Sequence, residues 1–218
     1  MKTNYLKIAA ILLITAGACK GPENKETNTT TADSTAVTEA TATTSVATLD
    51  SAAMAKAWEN FMTPGAMHKL LAEVVGNWNG EIITWMGPGM PASEPSKLSA
   101  EMKMILDGKY LESVYKGNMM GMPFEGKGIS AFDNALQKFH DIWIDNMGTG
   151  IMRLEGTFDE ATKTVTYKGK MTDPAVGKEV DVKQIVTFGD KIHTMQMFGY
   201  TPDGTEFKSM EIKMTKAK

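Results

Sequence analysis

Asp141 and Asp145 lie four residues apart in the run Lys138–Asp145, with Trp143 between them, and they are the one carboxylate pair in aromatic company. On an extended strand, alternate residues share a face, so Phe139, Asp141, Trp143 and Asp145 point one way. Carboxyls held beside an indole are candidates for acid–base work, or for gripping the polar end of a bound molecule. The opposite parity would turn His140, Ile142, Ile144 and Asn146 inward and leave both aspartates wet; the size of Trp143 favours the first arrangement. Arg153 is the only arginine among 23 basic residues. A guanidinium kept where lysine serves elsewhere suggests a planar, bidentate partner. Asp145, one strand earlier across residues 146–150, is the natural candidate, because a buried carboxylate needs such a partner or several donors.

Methionine is the second chemical feature, at 18 residues. Met102 and Met104 alternate, Met195 and Met197 alternate, and Met119, Met120 and Met122 surround a glycine. Thioethers select soft ions, so Cu(I) binding is one reading. The other is an adaptable apolar wall, which unbranched, polarizable side chains suit well. The three histidines, His68, His140 and His193, are far apart. No Gly-x-Ser-x-Gly, His-Glu-x-x-His or Cys-x-x-Cys pattern occurs, so no catalytic residues are assigned. Gly148-Thr149-Gly150 lacks a third glycine and precedes a strand, which makes it a turn rather than a phosphate cradle.

The elements that must position these residues follow from the rest of the 218-residue chain. Lys2 and Lys7 precede the apolar run Ile8–Ile14 and the small residues Ala16-Gly17-Ala18, the pattern of a secretory signal over residues 1–18. Cys19, the only cysteine, stands just past the expected cut, where a lone thiol in an exported chain calls for an explanation. This stretch resembles a bacterial lipobox, which implies a lipid on Cys19, with Ala16 where leucine is usual. Residues 19–48 are rich in Thr, Ala and Ser and hold no aromatic residue, as a disordered tether would. The formal charge of −3, without any basic cluster, disfavours nucleic-acid binding.

Residues 49–75 predict two short helices broken at Pro64-Gly65, the second with Met67, Leu70, Leu71 and Val74 on one side and His68, Lys69 and Glu73 mostly on the other. Residues 76–216 read as strands throughout: Asn77–Trp85, Lys97–Leu106, Tyr110–Asn118, Phe124–Asp133, Lys138–Asp145, Ile151–Asp159, Thr164–Met171, Glu179–Phe188, Lys191–Gly199 and Thr205–Thr215. Turn pairs such as Asp107-Gly108, Asp133-Asn134 and Asp173-Pro174 separate them. Leu98, Ala100, Met102, Met104 and Leu106 oppose Lys97, Ser99, Glu101 and Lys103, one dry face and one wet face. About ten short-linked strands close most economically into an all-β, antiparallel up-and-down barrel, with room for a ligand inside. Gly126 and Gly128 read as bends in its wall.

Gly76-Asn77-Trp78 on an opening strand after a short helix resembles the signature of the calycins, the lipocalin-like barrels. Further blocks resemble the bacterial domain of unknown function family 1579 over Ala53 to Lys216. They are Ala57-Trp58, Met62-Thr63-Pro64-Gly65, His68-Lys69-Leu70-Leu71, Asp107-Gly108-x-Tyr110-Leu111, Gly121-Met122-Pro123-Phe124-Glu125-Gly126-x-Gly128 and Trp143 to Gly150. The resemblance implies a lipocalin-like barrel, often exported and lipidated, with no known activity. In lipocalins a basic side chain packs over the opening tryptophan, a role for Lys208 or Lys213 here. Some lipocalin-like barrels, the nitrobindins, hold haem through one histidine, which makes His193 a conceivable axial ligand. The leading expectation is a lipid-anchored envelope protein, at the outer membrane, binding a small hydrophobic or amphipathic ligand. Trp78, Met102, Met104, Tyr115, Phe124, Trp143, Met195 and Met197 would line the site, with Asp145 and Arg153 as its polar handle. The alternative is a structural or interaction protein with a packed barrel.

Overall fold

The computed structural model describes residues 50–189 and 191–218. The signal, Cys19 and the tether lie outside them. Two helices, α1 (Ser51–Met62) and α2 (Ala66–Glu73), precede ten strands. These are β1 (Gly76–Thr84), β2 (Ser96–Ile105), β3 (Tyr110–Met119), β4 (Met122–Asp133) and β5 (Lys138–Asp145), then β6 (Met152–Asp159), β7 (Thr164–Asp173), β8 (Lys178–Thr187), β9 (Ile192–Tyr200) and β10 (Glu206–Lys216). Each strand pairs antiparallel with its chain neighbour, and β1 pairs with β10 from Trp78↔Lys216 to Thr84↔Met210, closing the barrel. All ten predicted strands are present, with ends displaced by no more than two residues.

Closure follows from the two-residue rhythm. On β2, Leu98, Ala100 and Met102 are buried while Lys97, Ser99, Glu101 and Lys103 face solvent. A sheet with one apolar face and ten short-linked strands removes its own edges by joining first strand to last. The turns are built locally: Asp133, Asp159 and Asp173 each accept a backbone N–H two residues on, from Ala135, Ala161 and Ala175.

The helices have different fates. Helix α1 starts at Asp50, whose side chain accepts from Ala53 N at 2.7 Å, and it buries nothing; Trp58, Phe61 and Met62 stay exposed. Its last turn is held to the barrel by Asn134, whose amide donates to the carbonyls of Asn60 at 2.9 Å and Thr63 at 2.8 Å. Helix α2 buries Leu70 and Leu71, and Val74 just beyond it is also buried. His68, expected on the wet side, is buried as well: its Nδ1 accepts from Gly65 N at 3.0 Å, capping the helix start. Burial lowers its pKa, with the Phe132 backbone acting in the opposite direction.

At the α2 end Trp78 is fully buried, and its indole N–H donates to Val74 O at 2.7 Å. The basic side chain over its ring is Lys216, with Nζ 5.5 Å from the centroid. Lys208 instead covers Trp85 at the other end, and Lys213 is exposed. The reason is register: Lys216 is the cross-strand partner of Trp78, whereas Lys213 pairs with Glu81.

Candidate functional site: a cavity inside the barrel

Five links, β1–β2, β3–β4, β5–β6, β7–β8 and β9–β10, gather at the end away from α2, because successive antiparallel strands alternate direction. That end is open. Below it lies a cavity of about 700 Å³ inside the sheet. Its upper wall is largely thioether and aliphatic. Met86, Met119, Met120, Met147, Met171, Ile144 and Ile151 ring the mouth. Met86 and Met120 are 75% and 71% exposed, so their side chains stand in solvent at the edge of the opening.

Trp143 dominates one wall. It packs edge-on to Tyr115 at 5.4 Å between ring centroids and stacks on Phe124 at 6.4 Å. Gly126 and Gly128 make room for it: a Cβ on Gly126 would sit 2.2 Å from the indole, and one on Gly128 would sit 2.8 Å from Ser113 Oγ. The glycines expected to bend the wall are the floor on which the indole lies. Trp143 Nε1 donates to Asp145 Oδ2 at 2.8 Å, and Asp145 Oδ1 accepts from Met147 N at 2.9 Å. Asp145 thus ties the aromatic wall to the loop at the mouth.

Deeper in, the polar groups converge. Asp141 Oδ1 accepts from Ser130 Oγ at 2.6 Å. Burial pushes the Asp141 carboxyl up to about 6, with the Ser130 hydrogen bond acting the other way. Burial, and then the Asp141 charge, raises both Tyr115 and Tyr167, so Asp141 lies within electrostatic reach of two cavity-lining phenols. Ser113 and Gln184 are buried polar residues on the same lining. His193 stands against Phe188 at 5.6 Å and Trp78 at 6.1 Å between centroids. Burial lowers it to about 4, partly offset by the Thr187 backbone, so it is neutral at physiological pH. Its buried Nδ1 has no hydrogen-bond partner among the described residues.

Of the residues expected to line the site, Met102, Tyr115, Phe124, Trp143, Asp145, Met195 and Met197 do face the cavity. Three do not. Trp78 lies beneath it, its N–H consumed by Val74. Met104 packs against the buried core beyond the cavity, one inward position past Met102 towards α2. Arg153 points outward: β6 buries Met152 and Leu154, and parity leaves Arg153 exposed beside Ile142. The Asp145–Arg153 pair therefore does not form, because the two residues lie on opposite faces of the sheet, and the indole and a backbone amide supply Asp145's donors instead.

Asp141, expected inward with Trp143, and His193, weighed as a haem ligand, also line the cavity, whereas Ser113, Tyr167 and Gln184 were absent from the expected set. Their signal was parity. If Trp143 is inward so is Asp141, if Tyr115 is inward so is Ser113, and Gln184 falls between the buried Val182 and Val186. Among the described residues no group of three or more His, Cys, Asp or Glu side chains is placed to hold a metal ion.

A closed ten-stranded antiparallel barrel, stoppered by a helix at one end and hollow at the other, defines a lipocalin-like fold. Residues 63–216 match the family described as "Protein of unknown function (DUF1579)", and the chain belongs to it. A similar solved structure is that of Rv2717c from M. tuberculosis. Its TM-score is 0.54 at 10% identity, covering 72% of this chain and all of that one, and the likeness is one of fold. No curated protein matches the chain.

Proposed function

We propose that this protein binds a small apolar or amphipathic ligand within the barrel, as a non-catalytic carrier or receptor tethered in the cell envelope. The observation that carries the reading is the cavity: about 700 Å³, largely apolar, with Asp141 and the buried Ser113, Gln184 and His193 as polar groups on its wall, and within the range of small-molecule sites. A barrel serving only as a structural or interaction module has no need of such a hollow, since close packing would stabilise it further. The methionines suit the role because their side chains re-pack around cargo of varied shape. The cell-envelope assignment rests on the signal-like start and Cys19.

Native mass spectrometry of the purified protein is expected to show a co-purifying small molecule, released on denaturation. A fluorescent hydrophobic probe should bind with a stoichiometry of one, and Met195→Trp, which fills the cavity, should weaken it at least tenfold. An empty protein that binds no such probe would refute the proposal. Radiolabelled palmitate should enter the wild type but not Cys19→Ser; equal labelling of both would remove the lipid anchor.

A further inference from the structure

The ionisable groups on the cavity lining are Asp141, Asp145, His193, Tyr115 and Tyr167, and no Lys or Arg belongs to it among the described residues. That makes the interior one-signed. We infer that the ligand presents a cationic or donor-rich head, the class of an aliphatic or aromatic amine, to Asp141, and that carboxylate amphiphiles such as fatty acids are rejected. This rests on the binding reading above and sharpens it.

The argument turns on which acceptors are already satisfied. Both Asp145 oxygens are engaged, by Trp143 Nε1 and Met147 N. Asp141 has one protein donor among the described residues, Ser130 Oγ on Oδ1. A carboxylate offers about four acceptor positions, so most of those on Asp141 are free to meet a ligand. His193 adds a second, independent acceptor. In the tautomer that carries its proton on Nε2, the buried Nδ1 offers a lone pair that has no partner among the described residues. Ser113, Tyr115, Tyr167 and Gln184 can donate or accept and leave the choice of charge to Asp141.

Groups on the neighbouring elements do not reverse the sign. The lysine packed on a lining residue is Lys208, over Trp85 at the mouth, and Glu211 neutralises it at 2.7 Å. Lys97 and Lys116 lie on the solvent face of β2 and β3, across the sheet from the cavity. An anion entering the cavity would therefore meet a carboxylate with no compensating cation, at the low effective dielectric of an enclosed site. A cation would meet that carboxylate and the aromatic wall of Tyr115, Phe124 and Trp143, whose ring faces attract positive charge.

The test uses the full chain and three amphiphiles with one tail: dodecylamine, dodecanol and dodecanoate, each displacing a bound hydrophobic probe. At neutral pH the amine should bind at least about tenfold more tightly than the carboxylate, with the alcohol between them. Asp141→Asn should bring the amine and the carboxylate within about twofold of each other. In the wild type, amine affinity should fall as the pH drops through about 6, where Asp141 protonates. That arm reads the same interaction should Asp141→Asn fail to fold. Equal affinities, or a preference for dodecanoate, would overturn the inference while leaving the binding reading intact. Failure of all three to displace the probe would overturn the inference, and failure of the probe itself to bind would remove the binding reading as well.

Discussion

The two ends of this barrel are made from the same alternating strands, yet one is sealed and the other is not. At the α2 end the inward positions are aromatic and branched. Phe139 is fully buried, with its ring centroid 4.9 Å from that of Phe132, 6.4 Å from that of Tyr167 and 6.5 Å from that of Phe158, while Trp78 fills the space under α2. Towards the mouth, methionines, serine and carboxylates join the aromatic wall of Tyr115, Phe124 and Trp143, and the flanking links carry exposed Met86, Met120 and Met147. Rigid rings interlock to give a single packed arrangement, whereas thioethers leave space that can be refilled in several ways. On the binding reading proposed above, stability and binding fall to opposite ends. Substitutions should therefore separate them.

The largest effect is expected at the sealed end. Trp78→Ala removes a buried indole and its hydrogen bond, and should cost about 3–5 kcal/mol in denaturant unfolding. Probe affinity of the fraction that remains folded should change little; a large affinity loss at unchanged stability would break the division. Gly126→Ala comes next. Its Cβ would meet the Trp143 ring at 2.2 Å, so the indole must shift, for about 1–3 kcal/mol and a measurable loss of probe binding.

Asp141→Asn should act in the other direction. Because burial raises this carboxyl from 3.8 to about 6, ionising it opposes folding, and the amide should stabilise the barrel at neutral pH by on the order of 2 kcal/mol. The pH dependence sharpens the point. Between about 4 and 6 the folded state holds a proton on Asp141 that the unfolded chain has lost, so this group favours folding as pH falls. His193, lowered from 6.5 to about 4, does the reverse: the unfolded chain takes up a proton that the folded one refuses. The two slopes oppose each other in the wild type. Relative to it, Asp141→Asn should lose stability on acidification through this window and His193→Gln should gain it, as thermal melts across pH would read. The smallest stability effect is expected at the rim, where Met120→Ser should change unfolding free energy by no more than about 0.5 kcal/mol yet weaken probe binding.

How much of this was legible in the chain divides along physical lines. Strand positions were, because a pleated strand with one buried face imposes period two, and Leu98 to Met102 against Lys97 to Lys103 displays it. The inward set Phe139, Asp141, Trp143 and Asp145 followed from the same rule once the indole was placed inside. Depth along the barrel was not legible. Parity puts Met102 and Met104 on one face but does not say that the first meets a cavity and the second packs beyond it towards α2. Partner choice was not legible either. Proximity in the chain paired Asp145 with Arg153, whereas the sheet sends them to opposite faces.

Periodicity, turn residues and the glycine-flanked Trp78 were enough to specify a ten-stranded antiparallel barrel, since those signals are local and repeat every few residues. Which side chains converge, and that the hollow has one sign of charge, depend on residues from β3, β4, β5, β7, β8 and β9 meeting across the interior. Such meetings are set by strand register, closure and the stopper formed by α2, long-range quantities that no local pattern encodes. They exist only once the sheet has closed on itself.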